Sequence, residues 1–222
     1  MTSHRPIFEV NQFNSKKKEM IKTLLITCGF LAVTAGLSFA QTEVGKAAPN
    51  FSLPDTNGKI RSLADFKGKY VVLEWYQPDC PFVGKHYKSG NMQALQKEFT
   101  AKGVTWLSVD SSAPGEQGNY PAPKLNEIAA QDGSARTALL LDPAGDVGRL
   151  YGAKTTPDMY IVDPKGILVY KGAIDNKRST NLADVKTATN YVKGALDAAL
   201  AGKTVSTTAT QPYGCSVKYA SK

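Results

Sequence analysis

The chain has 222 residues, of which 42% are hydrophobic and 21% are charged, and its formal net charge is +8 at pH 7. This length and composition predict one globular domain of ordinary size with additional segments, and they exclude an intrinsically disordered chain. The positive charge does not indicate nucleic-acid binding, because five Lys and Arg residues precede Gln41 and the others are spread thinly. No arginine cluster with interleaved aromatic residues is present, so we expect no nucleic-acid partner.

The first forty residues predict a secretory signal peptide. Residues 16–18 are lysines, and with Lys22 they precede an uncharged apolar stretch over residues 23–39. The small residues Ser38 and Ala40 stand three and one positions before a predicted cut after Ala40. We therefore expect an exported protein, periplasmic or secreted, that has no stable membrane insertion after the signal is removed.

Three other interpretations of this segment stay open. Met20 begins a signal of more usual length, which would make residues 1–19 an upstream extension from a misassigned start codon. A retained membrane anchor would need a longer span, because the apolar run of about 17 residues is at the short limit for crossing a bilayer. A lipoprotein cut at Cys28 fits less well, since Thr27 before it is a poor match and little apolar sequence precedes it.

The body of the chain begins with a predicted β-hairpin. Asn57 and Gly58 stand between two short apolar segments, which is the strongest local hairpin signal in the sequence. A buried strand is predicted over residues 70–76, because Val71, Val72 and Leu73 form its apolar centre. The hairpin therefore precedes the central strand of the core.

A single cysteine, Cys80, follows this central strand after the breakers Gln77, Pro78 and Asp79. Pro81 suits the first turn of a helix, where the amide hydrogen that it lacks would have no partner. Free backbone amides and the positive end of the helix dipole favour a thiolate at such a position, which predicts a nucleophilic cysteine. The alternative is an unreactive, buried cysteine that acts as a small hydrophobic residue.

The rest of the body alternates between strand and helix patterns. The predicted elements are a helix over 81–88 that is interrupted at 89–91 and continues to Lys102, a strand over 104–109, a long loop over 111–123, a helix over 124–131, a strand over 138–141, a short helix over 146–151, strands over 157–162 and 167–171, and a helix over 187–200. This order predicts an α/β fold with a central mixed sheet and helices on both faces. We expect a signal peptide over 1–40, one domain over 41–200, and a mobile tail over 201–222 that carries Cys215.

Removal of Cys28 with the signal would leave Cys80 and Cys215 as the two cysteines of the mature chain. In an oxidising compartment such a pair favours a disulfide. One histidine, His86, would also remain. Two thiols and one imidazole do not have the spacing of a zinc or haem site, so we expect neither a metal nor another cofactor.

Several segments, in their order along the chain, carry a family resemblance. They are APNFSLPDTNGK (48–59), KGK (67–69), the strand end with Trp75 and Cys80, KTTP (154–157), DPKG (163–166) and YKG (170–172). Together they resemble the thioredoxin-like superfamily, in its redoxin and AhpC/TSA peroxiredoxin-like branch, over about residues 44–200. PDCPFV (78–83), KHY (85–87) and GCSVKY (214–219) are similar to a secreted subgroup with one active-site cysteine.

The resemblance implies a thioredoxin-like fold in which Pro157 is a cis-proline across from the reactive cysteine. A cis bond after Thr156 would present its backbone to an extended partner beside Cys80, which suits a mixed-disulfide intermediate. The alternative is that Pro157 simply begins a strand.

The sequence departs from both families that it resembles. Val83 stands where thioredoxins have the second cysteine of Cys-x-x-Cys, and Gln77 and Leu73 stand where peroxiredoxins have a threonine and a proline. A cation beside the thiolate would be Lys85 or Arg149, although the helical position of Lys85, like that of His86, predicts a solvated side chain.

These observations predict a thiol oxidoreductase in which Cys80 attacks a peroxide or a protein disulfide. Cys215 is its resolving cysteine, Thr156 and Pro157 complete the site, and a thiol protein restores the reduced state. One alternative is a permanent structural disulfide between Cys80 and Cys215 that ties the tail to the core. Another is a non-catalytic module of the same fold that binds a partner in the groove beside Pro157.

Overall fold

The structure is a computed structural model that describes residue 1 and residues 42–221. Residues 2–40 of the predicted signal peptide, and its cleavage site, lie outside the described part. Within the part that is described, no helix is both long enough and apolar enough to cross a membrane.

A five-stranded mixed sheet forms the centre of the fold. Its strands are β3 (Val71–Trp75), β4 (Thr105–Asp110), β5 (Ala138–Leu141), β7 (Asp158–Val162) and β8 (Leu168–Gly172). They lie in the order β5-β4-β3-β7-β8 across the sheet. The pairs β3–β4 and β4–β5 are parallel, whereas β3–β7 and β7–β8 are antiparallel. All five residues of β3 are buried, as its apolar sequence predicts for a central strand covered on both faces.

Helices cover both faces of this sheet. They are α1 (Pro81–Lys88), α2 (Asn91–Ala101), α3 (Ala122–Gln131), α4 (Asp146–Tyr151) and α5 (Tyr191–Leu200). Side chains of β3 alternate between two cores: Val72 packs with residues of α1, α2 and α5, and Leu73 packs with residues of α4. The predicted α/β architecture is confirmed.

The predicted N-terminal hairpin is also present. Strands β1 (Ser52–Pro54) and β2 (Ile60–Ser62) are antiparallel, and Leu53 pairs with Arg61. The Asp55 carboxylate organises the turn, because it accepts the backbone N–H groups of Asn57 and Lys59 at 2.9 Å each. The hairpin packs Leu53 into the core on the α4 side of the sheet.

Two helix boundaries depend on local signals. Gly90 has φ +75°, in the left-handed region, and it separates α1 from α2 as the sequence predicts. The last helix starts later than predicted, at Tyr191, because the Asn190 side chain caps it by accepting the N–H of Lys193 at 2.9 Å. The preceding residues form a separate 3-10 helix, Leu182–Thr187.

The tail, for which we predict mobility, is docked against the domain in this structure. Residues 215–216 form a strand, β9 (Cys215–Ser216), which pairs antiparallel with β6 (Thr155–Thr156). The tail residues Tyr213 and Val217 on either side of β9 are buried. Burial of these apolar side chains offsets the entropy that the tail loses when it is ordered.

Candidate active site around Cys80

Cys80 is the N-cap of α1, directly after the turn that follows β3. Its backbone is extended, with φ −73° and ψ 121°, and its carbonyl accepts the N–H of Gly84 at 2.8 Å. Pro81 occupies the first turn, as predicted. The side chain of Cys80 is only 1% exposed, so the thiol lies inside the fold, at the positive end of a helix.

The backbone of Thr156 lies directly across from this thiol. The Cys80 thiol donates to the Thr156 carbonyl oxygen at 3.1 Å, and the Thr156–Pro157 peptide bond is cis, as the resemblance implies. The Thr156 hydroxyl is buried and has no hydrogen-bond partner among residues 42–221. It is therefore available to donate a hydrogen bond to the Cys80 sulfur once the thiol is ionised, which lowers the pKa of Cys80.

Cys215 reaches the same position from the tail. In the β6–β9 pair, Cys215 is the residue opposite Thr156. Both Cys80 and Cys215 are free thiols in this structure. The two cysteines are 135 positions apart in the sequence, and both lie beside Thr156.

Gly214 permits this approach of the tail. Its φ of +145° lies in a region that L side chains rarely adopt, and a Cβ atom at this position would overlap the carbonyl oxygen of Thr156. A side chain on residue 214 would thus separate β9 from β6.

The two thiols differ in acidity. Burial alone would raise the pKa of Cys80, but hydrogen bonds involving the Cys215 thiol, Thr156 and the Val83 backbone N–H outweigh it and lower that pKa. Burial, together with the hydrogen bond to Cys80, raises the pKa of Cys215 to about 11. Cys80 is therefore the thiol that ionises first, and Cys215 remains protonated beside it as a donor.

The prediction that Lys85 is a solvated residue is wrong. The Lys85 side chain is fully buried, and its Nζ lies 3.2 Å from Oδ2 of Asp175 and 3.3 Å from the Tyr213 hydroxyl. Nζ also donates to the carbonyl oxygen of Lys177 at 2.6 Å, and the Tyr213 hydroxyl donates to the same Asp175 carboxylate. Helical spacing could not reveal this site, because its partners come from distant segments, one of them the tail.

The same correction applies to His86. This ring is fully buried, with Nδ1 2.9 Å from Nδ2 of Asn91 and Nε2 3.9 Å from the Asp175 carboxylate. Burial lowers the pKa of His86 to about 4, so the ring is neutral at pH 7.

Arg149, the other nominated cation, is engaged elsewhere. Its guanidinium carbon lies 4.6 Å from the ring centroid of Tyr219, and Nη1 donates to the Ala144 carbonyl oxygen at 2.6 Å. Since Lys85 is held by Asp175, both nominated cations are bound to groups other than the Cys80 sulfur.

Sequence reasoning did not single out Glu74 or the surroundings of Gln77. Glu74 is fully buried in β3 and accepts from Trp106 Nε1 at 2.8 Å and from the hydroxyls of Tyr87 and Ser108 at 2.9 Å each. A carboxylate inside an apolar strand was the available signal for this network, because buried charges need partners.

Gln77 is 2% exposed, and both polar atoms of its side chain lack partners among residues 42–221. The loop before α3 covers it so closely that a Cβ on Gly118 would lie 2.7 Å from Gln77 Cγ. The same loop reaches the turn before Cys80, where the Tyr120 hydroxyl donates to Oδ2 of Asp79 at 2.9 Å.

No group of three or more His, Cys, Asp and Glu side chains with metal-binding geometry occurs among the described residues. The chemistry that this arrangement offers is that of sulfur: an acidic thiol at a helix start and a second thiol across one strand pair.

A cysteine at the start of a helix, opposite a cis-proline in a mixed sheet, defines a thioredoxin-like protein. The sequence model of the AhpC/TSA family matches residues 44–171, and the chain belongs to this family. The predicted redoxin-like resemblance and the thioredoxin-like fold are both confirmed.

Named relatives and solved structures agree with this membership. The chain is 27% identical over 150 residues to the thiol-disulfide oxidoreductase ResA of Bacillus thuringiensis subsp. konkukian, covering 66% of this chain and 81% of that protein. It is 28% identical over 153 residues to the chloroplastic peroxiredoxin Q of Triticum aestivum, covering 59% and 68%. An uncharacterized conserved protein from Geobacillus kaustophilus superposes with a TM-score of 0.69 at 27% identity, covering 82% of this chain and 95% of that one. The family and the two relatives with named activities support a thiol oxidoreductase function.

Proposed function

We propose that the protein is an exported thiol-dependent oxidoreductase in which Cys80 is the nucleophile and Cys215 resolves the oxidised intermediate. The observation that carries this proposal is the register of the β6–β9 pair, in which Cys215 stands opposite Thr156 while the Thr156 carbonyl contacts the Cys80 thiol. The opposite pKa shifts of the two thiols support the same division of roles.

With a peroxide, the Cys80 thiolate attacks one oxygen of the O–O bond, which breaks. Cys80 becomes a sulfenic acid, and the leaving oxygen takes up a proton and departs as water or an alcohol. Cys215 then attacks the sulfenic sulfur, the Cys80–Cys215 bond forms, and the hydroxyl leaves as water with the Cys215 proton. A dithiol protein supplies the two electrons and two protons that return both thiols, and is itself oxidised to a disulfide.

With a protein disulfide, the first step is thiol–disulfide exchange. The Cys80 thiolate attacks one sulfur of the substrate, forms a mixed disulfide and releases the other sulfur as a thiolate that takes a proton. Cys215 then attacks the Cys80 sulfur and releases the second substrate thiol. Thr156 and Pro157 line the sulfur during both routes.

Export is part of the proposal. The lysines before an apolar stretch and the small residues before Gln41 support a secretory signal over 1–40, followed by the domain over 41–200 and the tail over 201–222. An oxidising compartment would let a disulfide between Cys80 and Cys215 persist until a reductant arrives.

A second candidate function is partner binding without catalysis, with a structural Cys80–Cys215 disulfide that holds the tail on the domain. The burial of Cys80, 1% exposed, and the close docking of the tail favour it. A bond across a loop of this length would stabilise the fold by roughly 4–5 kcal/mol on the loop-entropy model.

Thiol counting by alkylation and mass spectrometry separates the two functions. The full chain is reduced in graded steps, treated with stoichiometric hydrogen peroxide, and mapped for free thiols at Cys80 and Cys215. An enzyme loses the Cys80 thiol rapidly and gains the Cys80–Cys215 bond, and the Cys215→Ser variant stops at a sulfenic acid on Cys80. A bond that survives millimolar dithiothreitol until the protein unfolds, with no reaction of reduced Cys80 with peroxide, would rule out the enzyme.

A further inference from the structure

The tail runs along the edge of the active site as an extended strand held at several points. Upstream of the site it follows β8. The backbone N–H of Lys171 donates to the Thr208 carbonyl, and the Lys171 carbonyl accepts the N–H of Thr210, both at 3.1 Å. The Thr210 hydroxyl accepts the N–H of Ala173 at 2.9 Å. The tail is therefore already aligned when it reaches Thr156.

A buried aromatic anchor fixes the tail two residues before Cys215. Tyr213 packs edge-on against Phe82 of α1, with ring centroids 5.9 Å apart, and its hydroxyl joins the buried Lys85–Asp175 pair. Tyr213 itself is 4% exposed. Phe82 and Lys85 come from α1, the helix that Cys80 caps, so this anchor ties the tail to the active-site helix.

Three further residues anchor the tail after Cys215. The Val217 N–H donates to the Lys154 carbonyl at 3.1 Å, and the Lys218 carbonyl accepts the N–H of Ala113 at 2.8 Å. The ring of Tyr219 fills the space above Gly145, where a Cβ atom would lie 2.5 Å from Tyr219 Cδ1.

Tyr219 is also fixed at its far end. Its hydroxyl donates to the Ala153 carbonyl at 2.9 Å, and the Arg149 guanidinium covers the ring. Anchors on both sides of Cys215 thus keep β9 on β6.

The edge of β6 is where an extended polypeptide would reach the Cys80 sulfur. A strand that adds to a sheet edge gains main-chain hydrogen bonds along its length, and its side chains enter pockets at alternate positions. The tail makes both kinds of contact, with Cys215 across from Thr156 and Tyr213 in the pocket beside α1.

We propose that residues 213–219 are a built-in peptide ligand that determines substrate class: while they are docked, Cys80 reacts with small oxidants, and polypeptide disulfides are excluded. This inference rests on the proposed function of Cys80 as the nucleophile. A peroxide needs room for two oxygen atoms beside the sulfur, whereas a polypeptide needs the strand edge that β9 occupies. Displacement of the tail opens that edge to a cysteine-bearing peptide. The residue before the cysteine of that peptide should be small, because a Cβ atom at the position of Gly214 overlaps the Thr156 carbonyl oxygen.

A pair of mixed disulfides tests this selectivity directly. One probe joins thionitrobenzoate to free cysteine, and the other joins it to the cysteine of the peptide Tyr-Gly-Cys-Ser-Val. Attack by the Cys80 thiolate forms a new disulfide and releases coloured thionitrobenzoate, the better leaving group. The background is Cys215→Ser, so that the adduct stays on Cys80, where peptide mapping locates it.

Matched glycine variants compare a docked tail with a displaced one. Gly214→Ala overlaps Thr156, whereas Gly194→Ala in α5 meets no atom within 4 Å and has no positive φ. We expect the cysteine probe to react at least about tenfold faster than the peptide probe with the background and with Gly194→Ala. Gly214→Ala should raise the peptide rate about tenfold and change the cysteine rate much less.

Equal rates for both probes in the background, with no change in their ratio in Gly214→Ala, would overturn the inference. Tyr219→Ala, which releases the tail from its other side, gives the same comparison if Gly214→Ala does not fold. If neither probe modifies Cys80 in any folded variant, the proposed nucleophile itself is wrong, and the inference falls with it. Modification of Cys80 by the cysteine probe in the Cys215→Ser background supports Cys80 as the nucleophile, whatever effect the tail has on the peptide probe.

Discussion

Lys85 and Asp175 form an ion pair that is closed off from solvent, with Nζ 3.2 Å from Oδ2 and exposed side-chain fractions of 0% and 2%. The Tyr213 hydroxyl of the tail completes the pair by contacting both residues. One buried cluster thus joins the active-site helix α1, the segment after β8 and the tail. A change in this cluster acts on all three.

Replacement of Lys85 by methionine should destabilise the protein strongly. Methionine fills a similar volume but leaves the Asp175 carboxylate buried without its cation, and breaking a buried pair from one side costs about 3–5 kcal/mol. Urea unfolding monitored by tryptophan fluorescence measures this loss.

Two variants control that experiment. Lys124→Met removes a cation from an ion pair with Glu127 whose side chains are 46% and 52% exposed, and it should cost less than about 1 kcal/mol. Lys85→Met combined with Asp175→Asn should recover part of the stability, since no unpaired charge remains. A loss for Lys85→Met as small as that for Lys124→Met would show that the pair contributes little.

The acidity of Cys80 should depend on the donor at position 215. In Cys215→Ala the thiolate loses the donor that lowers its pKa, so the midpoint of Cys80 alkylation against pH should rise. Cys215→Ser keeps a hydroxyl donor and should stay closer to the wild-type midpoint. Iodoacetamide rates from pH 5 to 10, with the adduct located by mass spectrometry, measure the three curves. Three superimposed curves would mean that Cys215 does not stabilise the thiolate.

The Thr156 hydroxyl gives an independent test of the same thiolate. This hydroxyl is buried without a partner while Cys80 is a neutral thiol, and a hydrogen bond from it to the thiolate contributes to the lowered pKa of Cys80. Thr156→Val keeps the shape and removes the hydroxyl, so Cys80 should need a higher pH to react with iodoacetamide. Thr156→Ser retains the donor as the matched control. A Cys80 midpoint in Thr156→Val no higher than that of Thr156→Ser contradicts the role of the hydroxyl.

Local sequence signals were sufficient for most of the fold and for the placement of Cys80. The apolar run of β3, the turn residues before Cys80 and Pro81 are neighbours in sequence, and their preferences are local. The cis geometry before Pro157 came from the family resemblance, which carries information that no single propensity contains.

The docked tail and the buried cations were beyond local reasoning. Strand β9 is two residues long and pairs with a segment about 60 positions earlier. It is too short to show the alternating pattern from which a strand is predicted. Lys85 is hydrogen-bonded to a carboxylate 90 positions later, and a helix pattern reports only that a lysine is usually solvated. Tertiary contacts between distant segments decided both features.

Asp158, directly after Pro157, should make stability fall as the pH rises. Burial raises the pKa of this carboxyl to about 7, above the value of 3.8 for an exposed aspartate. Between these two values the folded protein holds the Asp158 proton more tightly than the unfolded chain does, so raising the pH favours unfolding. The loss in the free energy of unfolding is complete above about pH 7. A pKa shift of this size corresponds to at most about 4 kcal/mol.

Asp158→Asn removes this titration, so the variant should gain stability relative to the wild type between pH 4 and 7, with a constant difference above that range. Urea unfolding at pH 4.5, 6 and 8 measures the difference. Asp146→Asn, which removes an exposed carboxylate, reports what the loss of one negative charge does at the surface. If the unfolding free energies of the wild type and Asp158→Asn stay parallel from pH 4.5 to 8, the raised pKa is contradicted. A proton that only the folded state holds must make the difference between the two free energies change with pH.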